Sequence, residues 1–234
     1  LSAGEQGEVV LNVTPFYAEM GGEVGDTGTI TADGVELQVT DTKAPEKGLV
    51  CHVATVASGV LTVGMAVSAQ VDVKRRACIA RNHTCTHILH AALRQVLGAH
   101  VKQAGSYVGP DRLRFDFTHF ESVTPEQLKQ VEELANSVIM SATATNIFET
   151  SLAKAREEGV TALFGEKYGD VVRVVKVGDF SSELCGGCHV ANTAEIGLVK
   201  IVSESSVGAN LRRIEAFTSY DALTYLNGFE HQMK

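Results

Sequence analysis

No stretch of this 234-residue sequence keeps the ~20 consecutive apolar residues that a bilayer span requires, because charge or glycine interrupts each run first. The opening Leu-Ser-Ala-Gly-Glu-Gln has neither the basic start nor the apolar run of a secretory signal. Both absences point to a cytoplasmic protein without a membrane partner. Five cysteines make an odd set for a disulfide framework, and in a reducing compartment cysteine beside histidine more often ligates or catalyses. Excess basic charge is lacking too. With 28 acidic against 20 basic residues the formal net charge is −8, which excludes a general nucleic-acid coat and speaks against a DNA partner. No methionine stands at position 1, so the expectation is a piece of a longer protein.

What is present suits a folded chain, with 44% hydrophobic and 21% charged residues. Residues 1–73 are rich in Val, Thr and Gly, with alternating runs at 8–13, 34–40, 49–56 and 66–73, and read as a small β-barrel. Asp33-Gly34 fits a hairpin turn. Between the first two strands lies TPFYAEMGGEVGDTG, Thr14 to Gly28, whose glycines let a backbone approach a ligand or another chain segment closely. From Arg76 to Leu97 there is neither Gly nor Pro, and apolar residues recur at helical spacing until Gly98. Thr124-Pro125-Glu126-Gln127 offers an N-cap, a first-turn proline and an acid, and opens a helix to about Met140. A short helix is expected over 152–158, strands over 112–117, 171–177, 198–203 and 211–217, and a last helix through 223–229. Intermixed strands and helices of this kind make an α+β fold.

Cys185-Gly186-Gly187-Cys188-His189 admits haem attachment, a dithiol couple or half of a metal site. Haem attachment belongs to exported proteins, and Val190-Ala191-Asn192-Thr193 is a poor start for the helix that a dithiol couple needs. The metal reading gains from a second stretch, RNHTCTHILH. His83 and His87 stand four apart on the expected helix and project from one face. Together with Cys185 and His189 they form a borderline-soft set suited to Zn²⁺. Where a zinc peptidase places a glutamate after its first histidine, this chain has Thr84. A metal without a neighbouring carboxylate suits a bond easier than an amide, such as an ester; a purely structural metal remains the alternative.

Six segments in order, TPFYAEMGGEVGDTG, RNHTCTHILHAALRQVLGAHVKQAGS, LRFDF, ALFGEKYGD, SSELCGGCH and IVSESSVGANLRRIEA, resemble the editing region of bacterial alanyl-tRNA synthetases and, less fully, free-standing alanyl-tRNA editing proteins. The resemblance runs from about Val9 to Leu226. It implies a β-barrel over 1–73, an editing core over 74–218 like that of threonyl-tRNA synthetase, and the start of a helical region over 219–234. It also implies a deacylase that hydrolyses the ester of serine or glycine mischarged to alanine tRNA, with Zn²⁺ on His83, His87, Cys185 and His189. Gln103 falls on a position that lines the editing pocket, and Thr84 is a weaker candidate for touching substrate.

A pocket built for alanine rejects glycine weakly, since one methyl is worth only ~1–3 kcal/mol, so a second hydrolytic site is physically useful. The tRNA acceptor end is expected near Arg81, Lys102 and Arg212-Arg213, with Gly21-Gly22 beside the terminal adenosine. Where the family usually has Thr, Ala, Ser and Gln, this chain has Cys188, Cys85, Met20 and Glu23; Cys185 rather than Cys188 is expected to ligate. Nothing in the chain is read as the class II aminoacylation core or an ATP site, so charging with ATP would belong to the full-length enzyme. A free-standing editing protein and a tRNA-binding module with a structural zinc are the alternatives.

Overall fold

The computed structural model describes residues 1–162 and 168–232, so Leu163 to Lys167 of the ALFGEKYGD segment and Met233-Lys234 lie outside the described residues. The chain forms two compact units, Leu1–Cys78 and Ile79–Lys234. Among the described residues no helix is long and apolar enough to cross a membrane.

The first unit is one antiparallel sheet of β1 (Gln6–Val10), β2 (Gly28–Ala32), β3 (Val35–Glu46), β4 (Leu49–Ser58) and β5 (Ser68–Val71), in the order β1-β4-β3-β2-β5. Asp33-Gly34 turns β2 into β3, with Ala32 opposite Val35 and Gly34 at φ +67°. Strict alternation sends Val35, Leu37 and Val39 inward to meet Ile30, Ala54, Val56 and Phe16. The expected barrel does not form. Its two edges are the short strands β1 and β5, and closure would require them to pair. Strand β5 ends at Val71 because the Asp72 carboxylate accepts from the N–H groups of Lys74 and Arg75, each at 3.0 Å, and starts helix α1 (Val73–Leu97).

The glycine-rich segment of this unit is tied down. Met20 and Glu23 exchange backbone hydrogen bonds of 3.2 and 3.1 Å around Gly21 (φ +63°) and Gly22 (φ +90°), a tight turn that needs two left-handed residues. Arg75 Nη1 donates to Gly25 O at 2.7 Å, and Arg76 pairs with the buried Asp26. A Cβ on Gly25 would lie 2.1 Å from Thr42 O, so glycine is required there by backbone approach.

The second unit continues with β6 (Gln103–Val108), β7 (Leu113–Thr118), α2 (Pro125–Met140), β8 (Thr145–Ser151), α3 (Leu152–Glu157), β9 (Val171–Val177), β10 (Ser181–Leu184), a 3-10 turn at Thr193–Ile196, β11 (Val199–Gly208), β12 (Leu211–Thr218) and α4 (Ser219–Gln232). Its sheets are β11-β12-β7-β6 and β10-β9-β8, antiparallel throughout. Helix α2 opens with the capping box of Thr124 and Gln127 and buries Val131, Ala135 and Ile139 at a four-residue interval. These meet Leu113, Phe115 and Phe117 of β7 and Cys85, Ile88, Leu89 and Ala92 of α1 in the larger core. Strand β9 is nearly all valine because both its faces are covered: Val172 and Val174 pack with Ala155 and Leu184, and Val177 joins the larger core.

Candidate metal centre

On α1, His83, His87 and His90 follow the i, i+4, i+7 spacing of one helix face, and all three are buried. On the other side of the site, Glu183 and Cys185 stand two apart on nearly extended chain at the end of β10, which turns both the same way. Ligand atoms of His83, His87, Cys185 and His189 all lie within 4.8 Å of one another. Cys185 Sγ is 3.4 Å from His83 Nε2 and 3.3 Å from His189 Nε2. Tetrahedral zinc with bonds of ~2.0–2.3 Å separates its donors by roughly 3.3–3.8 Å, so these spacings fit such an ion.

Protonation agrees with that fit. Burial alone would raise the Cys185 thiol, but the charge on His83 and hydrogen bonds from His189, His83 and His87 outweigh it and bring it down to about 2. Burial, then the charge on His83, brings His189 down to about 3. A thiolate and a neutral imidazole are the forms a cation binds. Cys188 is not one of the four; it packs half-buried against the larger core.

The loop carrying Cys185 and His189 is held from several sides. Arg173 Nη1 of β9 donates to Cys185 O at 2.9 Å and Gly187 O at 2.8 Å, while Gly187 N–H donates to Cys185 Sγ at 3.4 Å. Thr84 is fully buried, and its hydroxyl meets His189 Nδ1 and Val190 N–H, both at 3.1 Å. Thr84 thus supports a candidate ligand through its hydroxyl.

A carboxylate also neighbours the site, contrary to the expectation of none. The Glu183 carboxylate is buried, receives a 2.8 Å hydrogen bond from His90 Nδ1, and lies 3.7 Å from His87 Nδ1. Burial would raise its pKa, yet His87 and the hydrogen bond from His90 lower it on balance. Its signal was in the sequence, two residues before Cys185, where strand alternation returns a side chain to the same face; His90 was one heptad beyond His83.

The other anticipated residues separate. Gln103 stands half-buried at the start of β6, and its amide meets Ser106 Oγ at 3.3 Å rather than any of the four donors. Arg81 Nε donates to Glu195 O at 2.9 Å. Lys102 is exposed. Arg212 and Arg213 both lie on β12. As neighbours on a strand they project to opposite sides, where Glu204 holds the Arg212 guanidinium through bonds of 2.5 and 2.7 Å and Asp116 holds that of Arg213 through two of 2.7 Å. Gly21 and Gly22 belong to the turn of the first unit already described.

Among known proteins, the threonyl and alanyl tRNA synthetase second additional domain matches residues 172–215, the stretch that carries Glu183, Cys185 and His189. The class II (A) tRNA synthetase family matches residues 1–75. Over 231 residues, 99% of the chain, the sequence is 56% identical to the alanine--tRNA ligase of Pelotomaculum thermopropionicum. It is 54% identical over 232 residues to that of Desulforamulus reducens and 51% over 227 residues to that of Bacillus anthracis. The chain spans 26% of the length of each of these relatives.

Proposed function

The chain is homologous to alanine--tRNA ligases over nearly its whole length and carries the second additional domain of threonyl and alanyl tRNA synthetases; from that premise we propose that it is an editing region that deacylates mischarged tRNA. In this reading residues 74–218 are the editing core, residues 219–234 begin a helical region, and the protein works in the cytoplasm on serine or glycine esterified to alanine tRNA. Water adds to the ester carbonyl, the ribose oxygen leaves with a proton, and the products are free amino acid and uncharged tRNA.

The supporting observation is the convergence of two imidazoles from α1 with a thiolate and an imidazole from the loop after β10. These residues would hold Zn²⁺, which supplies Lewis-acid polarisation of a carbonyl or of water when bound. Thr84 fixes His189, Arg173 fixes the loop backbone, and Gln103 lines the pocket for the amino acid. Arg81 and Lys102 face the acceptor end, and the Gly21-Gly22 turn is the RNA contact proposed for the first unit. Full-length relatives would add ATP-dependent charging.

Deacylation of Ser-tRNA(Ala) and Gly-tRNA(Ala), with Ala-tRNA(Ala) as the spared control, tests the reading. Release of serine and glycine that a chelator stops and zinc restores is the expected result. Four protein donors also make a closed set of the kind structural zinc prefers. That favours a second reading, a tRNA-binding module, for which the chelator would unfold the chain and no ester would be cleaved at any zinc concentration.

A further inference from the structure

We propose that Glu183 and His90 are positioning residues for the metal centre: the carboxylate holds the His87 ring with Nδ1 toward itself and Nε2 toward Cys185, and His90 holds the carboxylate. The proposal rests on the reading that the four donors bind a metal.

A buried carboxylate is costly unless every charge-bearing oxygen finds a donor. Among the described residues the donors that the Glu183 carboxylate meets are His90 Nδ1, 2.8 Å from Oε1, and His87 Nδ1, 3.7 Å from Oε2. A carboxylate only accepts, so His90 Nδ1 carries the proton of that bond. His90 itself is 2% exposed and its ring lies 5.3 Å from that of Phe115, which leaves it no room to swing away. His87 Nδ1 is the complementary case: it is buried and, among the described residues, has no hydrogen-bond partner. Glu183 Oε2 is the acidic oxygen that faces it, and a ligating histidine ordinarily donates its second N–H to such a group.

Phe115, His90 and Glu183 form a row that ends on the donor His87. Glu183 is thereby distinguished from a general base. Both its oxygens address ring nitrogens, and the residue is 5% exposed. His189 has an equivalent support in Thr84, at 3.1 Å from its Nδ1, so the two flanking imidazoles are each fixed through the nitrogen that does not meet Cys185.

Cobalt(II) and zinc titrations of the unsubstituted chain, Glu183→Gln, His90→Leu and His90→Asn test this, read by visible absorption bands and by competition with a chelating dye. Glu183→Gln keeps the size of the side chain but presents an amide N–H to one ring. It and His90→Leu should weaken metal binding about 10- to 100-fold and shift the cobalt bands. His90→Asn, whose amide nitrogen occupies the place of Nδ1, should restore most of the affinity. Histidine nitrogen NMR of the unsubstituted zinc-loaded chain should show His87 protonated at Nδ1, a result independent of whether any variant folds. Unchanged affinity and bands in Glu183→Gln, or an Nε2-protonated His87, overturns the proposal. An unsubstituted chain that takes up no metal overturns the metal reading itself, and this proposal with it.

Discussion

His83 and His87 stand four apart on α1, and Cys185 and His189 stand four apart in the loop after β10. Equal spacing has different force in the two places. On the helix, hydrogen bonds between turns put residues i and i+4 above one another, so the two imidazoles face one point before any tertiary contact forms. In the loop, spacing alone sets nothing. Convergence there depends on Arg173 gripping two carbonyls, on Gly187 N–H meeting the sulfur, and on Thr84 reaching across from the helix. One half of the centre is arranged by local backbone geometry and the other by long-range polar contacts.

Removing a donor should have the largest effect and should erase the difference between the halves. Zinc binding worth ~10–16 kcal/mol shared over four ligands is roughly 2.5–4 kcal/mol each, so Cys185→Ala and His83→Ala should each weaken zinc binding by about 10²–10³-fold in a competition titration. Comparable binding after either change would mean that the four do not share one ion. Removing a loop support sharpens the comparison. Arg173→Leu leaves both carbonyls without a charged donor, a loss of about 1.5–3 kcal/mol, and should lower zinc affinity roughly tenfold with the helical content unchanged. Affinity equal to that of the parent would show the loop to be preset without it.

Thr84→Val strips a buried hydroxyl from both Val190 N–H and His189 Nδ1. It should cost about 1–3 kcal/mol in chemical denaturation, and Thr84→Ser should recover most of that. If Val and Ser variants unfold alike, the hydroxyl is not the link between the halves. Smallest of all, Cys188→Thr should leave metal stoichiometry and affinity as they were, because Cys188 packs against the larger core outside the four donors. Loss of metal in that variant would place the loop differently from the structure described above.

Much of the local structure was legible. Thr124-Pro125-Glu126-Gln127 announces a helix start, and α2 opens there with both capping bonds and runs to Met140. The valine run from Val171 to Val177 is β9 at its full length. Strand β10 was not among the expected strands; its antiparallel pairing with β9 makes it one. The acidic partners of the arginines were not legible either: neighbouring strands supply Glu204 for Arg212 and Asp116 for Arg213.

By itself, the order of residues determined which chemical groups were on hand and how each short segment would turn. Helix caps, strand alternation and the i, i+4 histidine pair rest on hydrogen bonds and sterics that reach only a few residues along the chain. Tertiary structure alone decided that Cys185 comes within 3.4 Å of His83, a hundred positions earlier, and that a carboxylate backs the centre. It also left the sheet of the first unit open at β1 and β5. Burial and charge pairing have no sequence range: a group becomes costly or useful only when the fold removes its water and chooses its neighbour.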